Sequence, residues 1–319
     1  MTILKRILGC LLLLAALGLF LWPASREIKT WSQVREIKEE LEEDQASLPE
    51  TLPEPSEDGT ITLPDHDPEV TLPLLDLYGE FWAYNRSLVT DGQEITDAWA
   101  GSPEAPDISG LTDGQLGYIE IPDMGVTLPL YVGASRDHLS KGAAIQWGTS
   151  MPIGGENTNC VVVGHRGWYG SLYFAYINRM ETGSKVYIHT PWDTLTYEAV
   201  SKKIITPDDL DSVSIQPGKD MVTLLSCHPY AAAGGAGYRY LVYCERTADE
   251  DPDASSSSSP KGTPLPTAEG SIPEQTADPK GTDDAVTVLE LSVTRYLPPA
   301  TLFLCALILF LRSRKKASS

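Results

Sequence analysis

The chain has 319 residues, a formal net charge of −20 and five cysteines. Such acidity argues against nucleic acid as a partner, because a phosphate binder needs a basic face, and also against adhesion to an anionic membrane surface. Solubility alone accounts for the acidity, and a small, odd number of cysteines does not fit a secreted scaffold held by disulfides.

Two apolar runs, 7–22 and 296–311, bracket the chain and are predicted to cross a membrane. Each is slightly shorter than the ~20 residues that span a bilayer comfortably, but flanking residues can compensate. Basic residues lie on the outer side of both runs: Lys5, Arg6, Arg312, Arg314, Lys315 and Lys316. By the positive-inside rule, this predicts a two-helix cell-membrane protein with cytoplasmic ends (1–6 and 312–319) and an extracellular middle. The alternative for the first run is a cleaved signal peptide.

The segment 23–73 is predicted to be a juxtamembrane helix followed by a stalk. Apolar residues recur at helical spacing up to about residue 43, namely Ile28, Trp31, Val34, Ile37 and Leu41. From 44 to 73 the chain is rich in Pro, Glu, Asp and Thr, which is typical of an extended segment.

The segment 74–247 is predicted to be one mainly β domain. It begins with a helix at 74–88 and a Gly/Pro/Asp-rich loop at about 89–110, and eight short strand-like runs follow. These runs are 116–121, 126–131, 160–164, 185–189, 195–200, 202–206, 222–227 and 240–245. Many short strands with only short helices between them favour a closed β-barrel with appended helices.

The segment 248–290 is predicted to be a disordered tether. It consists mainly of Asp, Ser, Pro, Gly and Thr and includes five consecutive serines at 255–259. It would separate the barrel from the second apolar run.

Cys227 is the candidate nucleophile. Cys10 and Cys305 lie in the apolar runs, whereas Cys160 and Cys244 are either a disulfide pair or two buried small residues. Cys227 ends an apolar strand and precedes a loop rich in Gly and Ala, so its thiol lies where a strand meets a loop. A cysteine at such a position is also often a core residue.

His165 and Arg239 complete a candidate set for acyl transfer. His165 ends the apolar run 161–163, and Arg239 opens a strand twelve residues after Cys227, where a hairpin can bring it alongside. A cation favours the thiolate, an imidazole can protonate a leaving amine, and a guanidinium can hold an oxyanion. Taken alone, a histidine at a strand end is more often structural, and an arginine there is usually a solvated charge.

Together with the surrounding motifs, this set resembles the sortases, the cysteine transpeptidases of Gram-positive cell surfaces. The resemblance covers roughly 117–246 and includes Gly117-Tyr118-Ile119-Glu120-Ile121-Pro122, Leu128-Pro129-Leu130-Tyr131, Gly164-His165-Arg166-Gly167, Pro217-Gly218-Lys219-Asp220 and Thr223-Leu224-Leu225-Ser226-Cys227. It implies a closed eight-stranded barrel. It also implies that Cys227 is the nucleophile, His165 the acid and base, and Arg239 the group that stabilises the oxyanion or positions the peptide.

The chain is most similar to class C sortases, which polymerise pilins. A second membrane helix and a Pro/Asp-rich segment containing Asp97-Ala98-Trp99 favour that class. By resemblance, this segment is a lid in which Asp97 pairs with Arg239 and Trp99 covers Cys227. The alternative is that Trp99 simply packs on the barrel.

Two residues beside the thiol depart from the family pattern. Ser226 stands where members usually have Thr, and it keeps the hydroxyl group. His228 stands where many class C members have Thr and adds a second imidazole, but the motif around His165 favours His165 as the base.

The resemblance implies that Cys227 attacks the Thr carbonyl of a Leu-Pro-x-Thr-Gly-like signal at the C-terminus of a pilin or another surface protein. A Lys amine of the next pilin, or the amine of a lipid-linked cell-wall precursor, would then resolve the thioester. Neither a metal nor an organic cofactor is expected, since His66, His138 and His189 lack ligand spacing.

Three other functions remain open from the sequence. One is a sortase of another class that attaches proteins to peptidoglycan. Another is a non-catalytic surface scaffold whose barrel binds peptide, and the third is a hydrolytic cysteine protease. The double anchor and tether suit assembly at a membrane better than proteolysis.

Overall fold

The computed structural model describes residues 2–49, 52–56, 59–62, 73–97, 108–168, 171–229, 237–247, 263–272, 296–297 and 299–308. Up to residue 247, the helices are α1 (Thr2–Ser47), α2 (Pro73–Thr90) and α3 (Arg136–Lys141). The strands are β1 (Gln115–Ile121), β2 (Val126–Val132), β3 (Ala143–Ile145), β4 (Thr158–Val163), β5 (Arg166–Trp168), β6 (Ser171–Tyr173), β7 (Lys185–His189), β8 (Thr194–Ile205), β9 (Asp220–His228) and β10 (Tyr238–Arg246). Short 3-10 turns lie at Thr112–Gly114, Pro122–Met124, Ile177–Arg179 and Leu210–Val213.

Eight of these strands close into a barrel in the order β1-β2-β3-β4-β9-β10-β8-β7, which confirms the predicted mainly β, eight-stranded architecture. The pairs β2–β3 and β4–β9 are parallel. The predicted runs 195–200 and 202–206 are one strand, β8, and the eighth strand is β3, which the sequence analysis missed. β3 has only three residues, and the polar Ser201 and Lys202 interrupt the apolar pattern of β8.

The strands β9 and β10 have two different buried faces, because successive side chains point to opposite sides of a strand. Val222 and Leu224 belong to the main core cluster inside the barrel. Leu225 and Leu241 belong to a second cluster on the other face. The odd-numbered positions of β9, including Cys227, therefore lie on the outer side of the barrel.

Cys160 and Cys244 are both fully buried in the main core cluster. Both are free thiols, so the possible disulfide between them is not formed. Burial raises the pKa of each thiol far above its ordinary value. They act as small core residues, the second of the two predicted roles.

The helix α1 continues without interruption from the first apolar run into the predicted juxtamembrane helix. Its second half packs on the barrel, where Val34, Ile37 and Leu41 are buried against Tyr118 of β1. At its C-terminal end, the Gln45 side-chain amide donates a hydrogen bond to the Thr190 carbonyl at 2.8 Å.

Among the described residues, one helix is long and apolar enough, by length and composition, to cross a membrane, and it is the part of α1 that starts at Ile7. The C-terminal apolar helix is described over Pro299–Ile308, ten residues, and this length does not confirm the predicted second span. The rings of Phe20 and Tyr296 lie 5.8 Å apart. The Ala306 carbonyl lies 3.8 Å from where a Cβ on Gly9 would be, so the two apolar segments run antiparallel.

Part of the predicted disordered tether is packed on the barrel. Residues 263–272 run beside β8, with a parallel bridge between Thr267 and Lys202. The Lys202 N–H donates to the Pro266 carbonyl at 3.0 Å, and the Leu265 side chain is buried in the main core cluster. The tether prediction is wrong for these ten residues, and most of 248–290 lies outside the described residues.

Candidate active site

The strand register brings the three predicted catalytic residues into one row. The N–H of Gly164, just after β4, donates to the Leu225 carbonyl of β9 at 3.0 Å. The next residue after Gly164 is His165, and Cys227 lies two residues beyond Leu225. On the other side of β9, Arg239 of β10 is the register partner of Cys227. His165, Cys227 and Arg239 therefore lie level at one end of three adjacent strands, which we call the site rim.

The surroundings of Cys227 act on the pKa of its thiol in opposite directions. Burial is the main effect and raises the pKa of the thiol above its ordinary value. The guanidinium of Arg239 lowers this pKa, the Asp97 carboxylate raises it, and Arg166 lowers it. The balance favours the thiol over the thiolate that a nucleophile needs.

His165 is partly buried, and its ring lies edge-on to Tyr173 with centroids 6.2 Å apart. Burial lowers the pKa of the imidazole below its ordinary value. The lowered pKa favours the neutral imidazole, which is the form that can accept a proton from a thiol.

The predicted pairing of Asp97 with Arg239 is present. Arg239 donates from Nε to Oδ1 and from Nη2 to Oδ2 of Asp97, both at 3.0 Å, in a bidentate ion pair. Arg239 is only 8% exposed, so its ion pair with Asp97 is weakly screened by solvent. The carboxylate thus occupies the guanidinium edge that an oxyanion or a peptide carbonyl would use.

The segment before Asp97 is held on the barrel by two glutamines. The Gln146 side chain donates to the Thr96 carbonyl at 2.5 Å. The Gln93 side chain donates to the Gly148 carbonyl at 3.1 Å and accepts from the Ile215 N–H at 2.7 Å. Trp99, which was predicted to cover Cys227, lies outside the described residues.

Ser226 ties the nucleophile strand to the histidine segment. Its hydroxyl is fully buried and donates to the Gly164 carbonyl at 2.8 Å. The bond joins the residue before Cys227 to the residue before His165. This explains why a hydroxyl residue precedes the thiol, and why serine can stand in for threonine there.

The second imidazole, His228, lies on the interior face of β9 and is fully buried. Its Nδ1 atom is 2.6 Å from Arg166 Nη1. A guanidinium can only donate, so Nδ1 of His228 is the acceptor and carries no proton. Arg166 also lies over the ring of Tyr240 at 5.6 Å. The sequence analysis missed this buried pair. His228 and Cys227 lie on opposite faces of β9, so His165 and not His228 is the histidine on the face of the thiol.

The described residues contain one cluster of potential metal ligands, Asp113, Asp137 and His138, although the sequence analysis found no ligand spacing around His138. The ammonium group of Lys141 lies 2.6 Å from Asp113 Oδ2 and 2.5 Å from Asp137 Oδ2. His138 Nδ1 lies 2.7 Å from the Gly133 carbonyl, which it can reach only as a donor. Lysine and a backbone carbonyl thus already satisfy these groups.

Comparison with known proteins identifies the domain that carries this row. The Sortase domain family matches residues 119–247. Sortase D of Bacillus subtilis is 31% identical over 130 residues, which are 41% of this chain and 63% of that protein. Sortase A of Streptococcus agalactiae is 30% identical over 115 residues, which are 35% of this chain and 46% of that protein. The chain therefore spans less than two thirds of the length of these curated relatives.

Among solved structures, sortase C of Streptococcus pneumoniae matches with a TM-score of 0.52 and 26% sequence identity. The match covers 68% of this chain and 97% of that chain. The crystal structure of that protein bears on its catalysis and pilin substrate specificity. The sequence relatives thus belong to classes A and D, whereas the structural neighbour belongs to class C.

Proposed function

The chain belongs to the sortase family, and from this premise we propose that it is a class C cysteine transpeptidase that joins pilin subunits on a Gram-positive surface. The observation that carries the proposal is the row of His165, Cys227 and Arg239 across β4, β9 and β10, with Asp97 bound to the arginine.

In the proposed reaction, His165 takes the proton of Cys227 and the thiolate attacks the Thr carbonyl of a Leu-Pro-x-Thr-Gly-like signal. Arg239 holds the oxyanion or the neighbouring peptide. The imidazolium then gives its proton to the leaving Gly amine, the Thr–Gly bond breaks, and an acyl thioester remains on Cys227.

The second half of the reaction replaces the thioester with a new amide. A Lys amine of the next pilin attacks the acyl carbon, His165 accepts the amine proton, and the Cys227 sulfur leaves and is reprotonated. One amide is broken and one is formed, so no external energy source is needed. A peptidoglycan-precursor amine is the other acceptor of suitable chemistry.

Asp97 makes the described structure a closed state in this proposal. The carboxylate neutralises Arg239 and raises the pKa of Cys227. A peptide carbonyl cannot reach Arg239 until the carboxylate leaves, so substrate entry and lid opening are the same event. Trp99 is proposed to cover the thiol in this state.

We place the catalytic domain outside the cell, with both apolar segments in the membrane and both termini in the cytoplasm. The antiparallel contact between Phe20 and Tyr296 supports this arrangement, because two crossing segments with both ends inside must run in opposite directions. The small residues Gly9 and Ala306 at the other end of the contact suit close packing of membrane helices.

The second candidate is a sortase of another class that anchors proteins to peptidoglycan. It is favoured by the sequence similarity to sortases D and A. The lid distinguishes the two candidate functions, because Asp97 regulates the active site in the first and has no regulatory role in the second.

The test is mass spectrometry of the full-length chain after incubation with a Leu-Pro-x-Thr-Gly peptide. We expect an acyl adduct on Cys227 that is absent in Cys227→Ala and more abundant in Asp97→Asn. An adduct that does not respond to Asp97→Asn supports the second candidate. No adduct on the folded protein in either form would contradict both and favour a non-catalytic peptide-binding scaffold.

A further inference from the structure

We infer that the site rim, the end of the barrel that carries His165, Cys227 and Arg239, faces the bilayer and lies within about one to two helical turns of the membrane-embedded part of α1. The inference rests on the proposed membrane anchorage and adds an orientation to it. In this orientation the site rim interacts with the lipid surface. The distance from the bilayer to the thiol then limits which peptides can react.

The first observation is where α1 meets the barrel. Arg26 lies four residues after the end of the apolar run at Trp22, about 6 Å along the helix. Its guanidinium Nη2 donates to the Ser140 carbonyl at 3.2 Å and approaches the Tyr173 hydroxyl at 3.5 Å. The Tyr173 ring is the one that faces His165. The membrane end of the docked helix is therefore the site end.

The rest of α1 runs away from the site rim. The Gln33 side chain donates to the Tyr131 hydroxyl at 2.7 Å, and Gln45 reaches the Thr190 carbonyl. From Arg26 to Gln45 a helix advances about 28 Å. The far end of the barrel is thus about 28 Å farther from the membrane than the rim. A kink at Pro23 would tilt the barrel but would not reverse this order along the chain.

The second observation is the direction of the docked tether segment, and it is independent of α1. The segment runs parallel to β8, and the Ile272 N–H donates to the Ile204 carbonyl at 2.9 Å. The next residue of β8, Ile205, is the register partner of Arg239. The described part of the tether therefore ends at the level of the site, on the same rim.

The third observation joins the two anchors. Tyr296, at the start of the second apolar segment, contacts Phe20 of α1. Phe20 lies six residues before Arg26, about 9 Å along the helix. The membrane end of α1 and the last described residues of the tether, up to Ile272, therefore lie on one side of the barrel, which is the side of His165 and Cys227.

This orientation predicts a reach rule for substrates. A peptide held in the bilayer meets the thiol if only a few residues separate its reactive bond from the lipid. If the barrel were inverted, the thiol would lie about 28 Å farther out, and a peptide would need about eight more extended residues, since each spans at most ~3.6 Å.

The first experiment measures position without relying on catalysis. The full-length chain with Cys10, Cys227 and Cys305 replaced by Ala is reconstituted in liposomes that carry nitroxide-labelled headgroups. A fluorophore is attached either at Asp208→Cys, three residues beyond Ile205 in the loop that follows β8 at the rim, or at Glu156→Cys, just before β4 at the far end. Both native side chains are exposed. We expect the rim label to lose most of its fluorescence and the far label to lose little. Stronger quenching of the far label, equal quenching, or no quenching of either would overturn the inference.

The second experiment uses the reaction. The Asp97→Asn chain in liposomes is given Leu-Pro-x-Thr-Gly peptide linked to lipid through a two-residue or a fifteen-residue spacer, and the Cys227 adduct is followed. We expect the short spacer to react at least as fast as the long one. Reaction of the long-spacer peptide alone would overturn the orientation. Free peptide reacts in either orientation, so its failure would count against the proposed function and leave the fluorophore result to decide the orientation.

Discussion

At the residue scale, the proposed mechanism requires Arg239 to serve two partners that exclude each other. The same two N–H edges that now bind Asp97 are those that a substrate carbonyl or oxyanion would need. The carboxylate also raises the pKa of Cys227, whereas the guanidinium lowers it. In the proposed mechanism, one side chain, Asp97, thus controls both the oxyanion site and the nucleophile.

We therefore expect Asp97→Asn to increase the reactivity of Cys227 toward a small alkylating reagent. A charge-assisted pair is worth about 2 kcal/mol, so its loss raises the open population by up to about 30-fold. The rate-against-pH curve should also move to lower pH, because Asp97 raises the pKa of the thiol. Stopped-time alkylation with mass spectrometry measures both.

The matched control is Glu94→Gln, which removes the same charge from an exposed side chain three residues earlier. It should leave the rate and the pH curve unchanged. Equal acceleration in both variants would show that general charge, and not the ion pair with Arg239, sets the reactivity.

Ser226 offers a second test at this scale. Ser226→Ala should lower the free energy of unfolding by about 1–2 kcal/mol, since the buried Gly164 carbonyl loses its donor. It should also lower kcat, because the bond keeps Cys227 level with His165. Thermal unfolding and single-turnover acylation measure the two effects.

Thr223→Val is the comparison for Ser226→Ala. Thr223 is also fully buried on β9, four residues before Cys227. Its hydroxyl donates to the Asn159 Oδ1 atom of β4 at 2.8 Å. We expect a similar loss of stability with little change in kcat. If both variants lowered kcat equally, Ser226 would have no special role in positioning.

The juxtaposition of His165, Cys227 and Arg239 could be predicted from sequence because each of the three belongs to a local motif at a strand end. The pairing of His228 with Arg166 could not, since two buried polar residues 62 positions apart reveal their contact only in the barrel. The motif around His165 already favoured it over His228 as the base, and the position of His228 on the interior face of β9 is a second, structural reason.

At the element scale, the docking of α1 places an ionisable group in the contact. His189 of β7 stacks on Tyr118 with ring centroids 4.0 Å apart, and Tyr118 is covered by α1. Burial lowers the pKa of His189 to about 3, with a smaller contribution from Lys38. A Glu120 carboxylate oxygen lies 4.0 Å from Nε2 of His189, and it does not outweigh these effects.

We expect the stability of the domain to fall as the pH drops below the unfolded-state value of about 6.5. Because the pKa of His189 is depressed in the folded state, the unfolded chain binds the proton at a higher pH than the folded chain does. The free energy of unfolding is therefore unaffected by this group above pH 6.5 and decreases as the pH falls from 6.5 toward 3. The slope from this group is about 1 kcal/mol per pH unit between pH 6 and pH 4. Denaturant titrations at several pH values measure it.

His189→Phe is the matched variant, because it keeps a ring on Tyr118 and removes the titration. Its stability should depend less steeply on pH than that of the wild type over the same interval. Parallel curves for the two proteins would assign the acid sensitivity to other groups.

The elements themselves show where pattern reading works. The bounds of runs with strong alternation or continuous apolar character, such as β9 and β10, agree with the prediction to within two residues. β3 was missed because three residues are too few for a period. The helix α1 was predicted in two pieces, since an apolar segment and an amphipathic segment look like separate elements even when the backbone helix never breaks.

At the scale of the whole molecule, the docked tether closes an edge of the sheet. The second half of β8 extends beyond its pairing with β7, which ends in the register at Glu198. Residues 263–272 supply the missing partners for Lys202 and Ile204. Composition could not predict this, because main-chain pairing depends little on side-chain type and the surrounding segment is Ser-, Pro- and Asp-rich.

Leu265 is the side chain that holds this segment in place, so Leu265→Ala should release it. Its side chain is 5% exposed and packs in the main core cluster. Truncating a buried leucine costs about 2 kcal/mol or more. The substitution should shift the equilibrium between docked and released states of residues 263–272 and leave the barrel folded, because the eight barrel strands close without this segment. The Lys202 and Ile204 amides, which donate to Pro266 and Ser271, should then exchange with solvent about 30-fold faster in hydrogen–deuterium exchange.

Thr267→Ala tests whether Leu265 or the strand pairing as a whole sets this protection. Thr267 forms the bridge to Lys202, but its side chain is exposed, so exchange at Lys202 and Ile204 should hardly change. Cleavage by a glutamate-specific protease at the exposed Glu269 gives an independent readout, since a docked strand resists cleavage and a released one does not. Unchanged exchange and cleavage in Leu265→Ala would mean that the main-chain bonds alone hold the segment. In that case the second anchor would keep its fixed exit at the site rim even without the leucine.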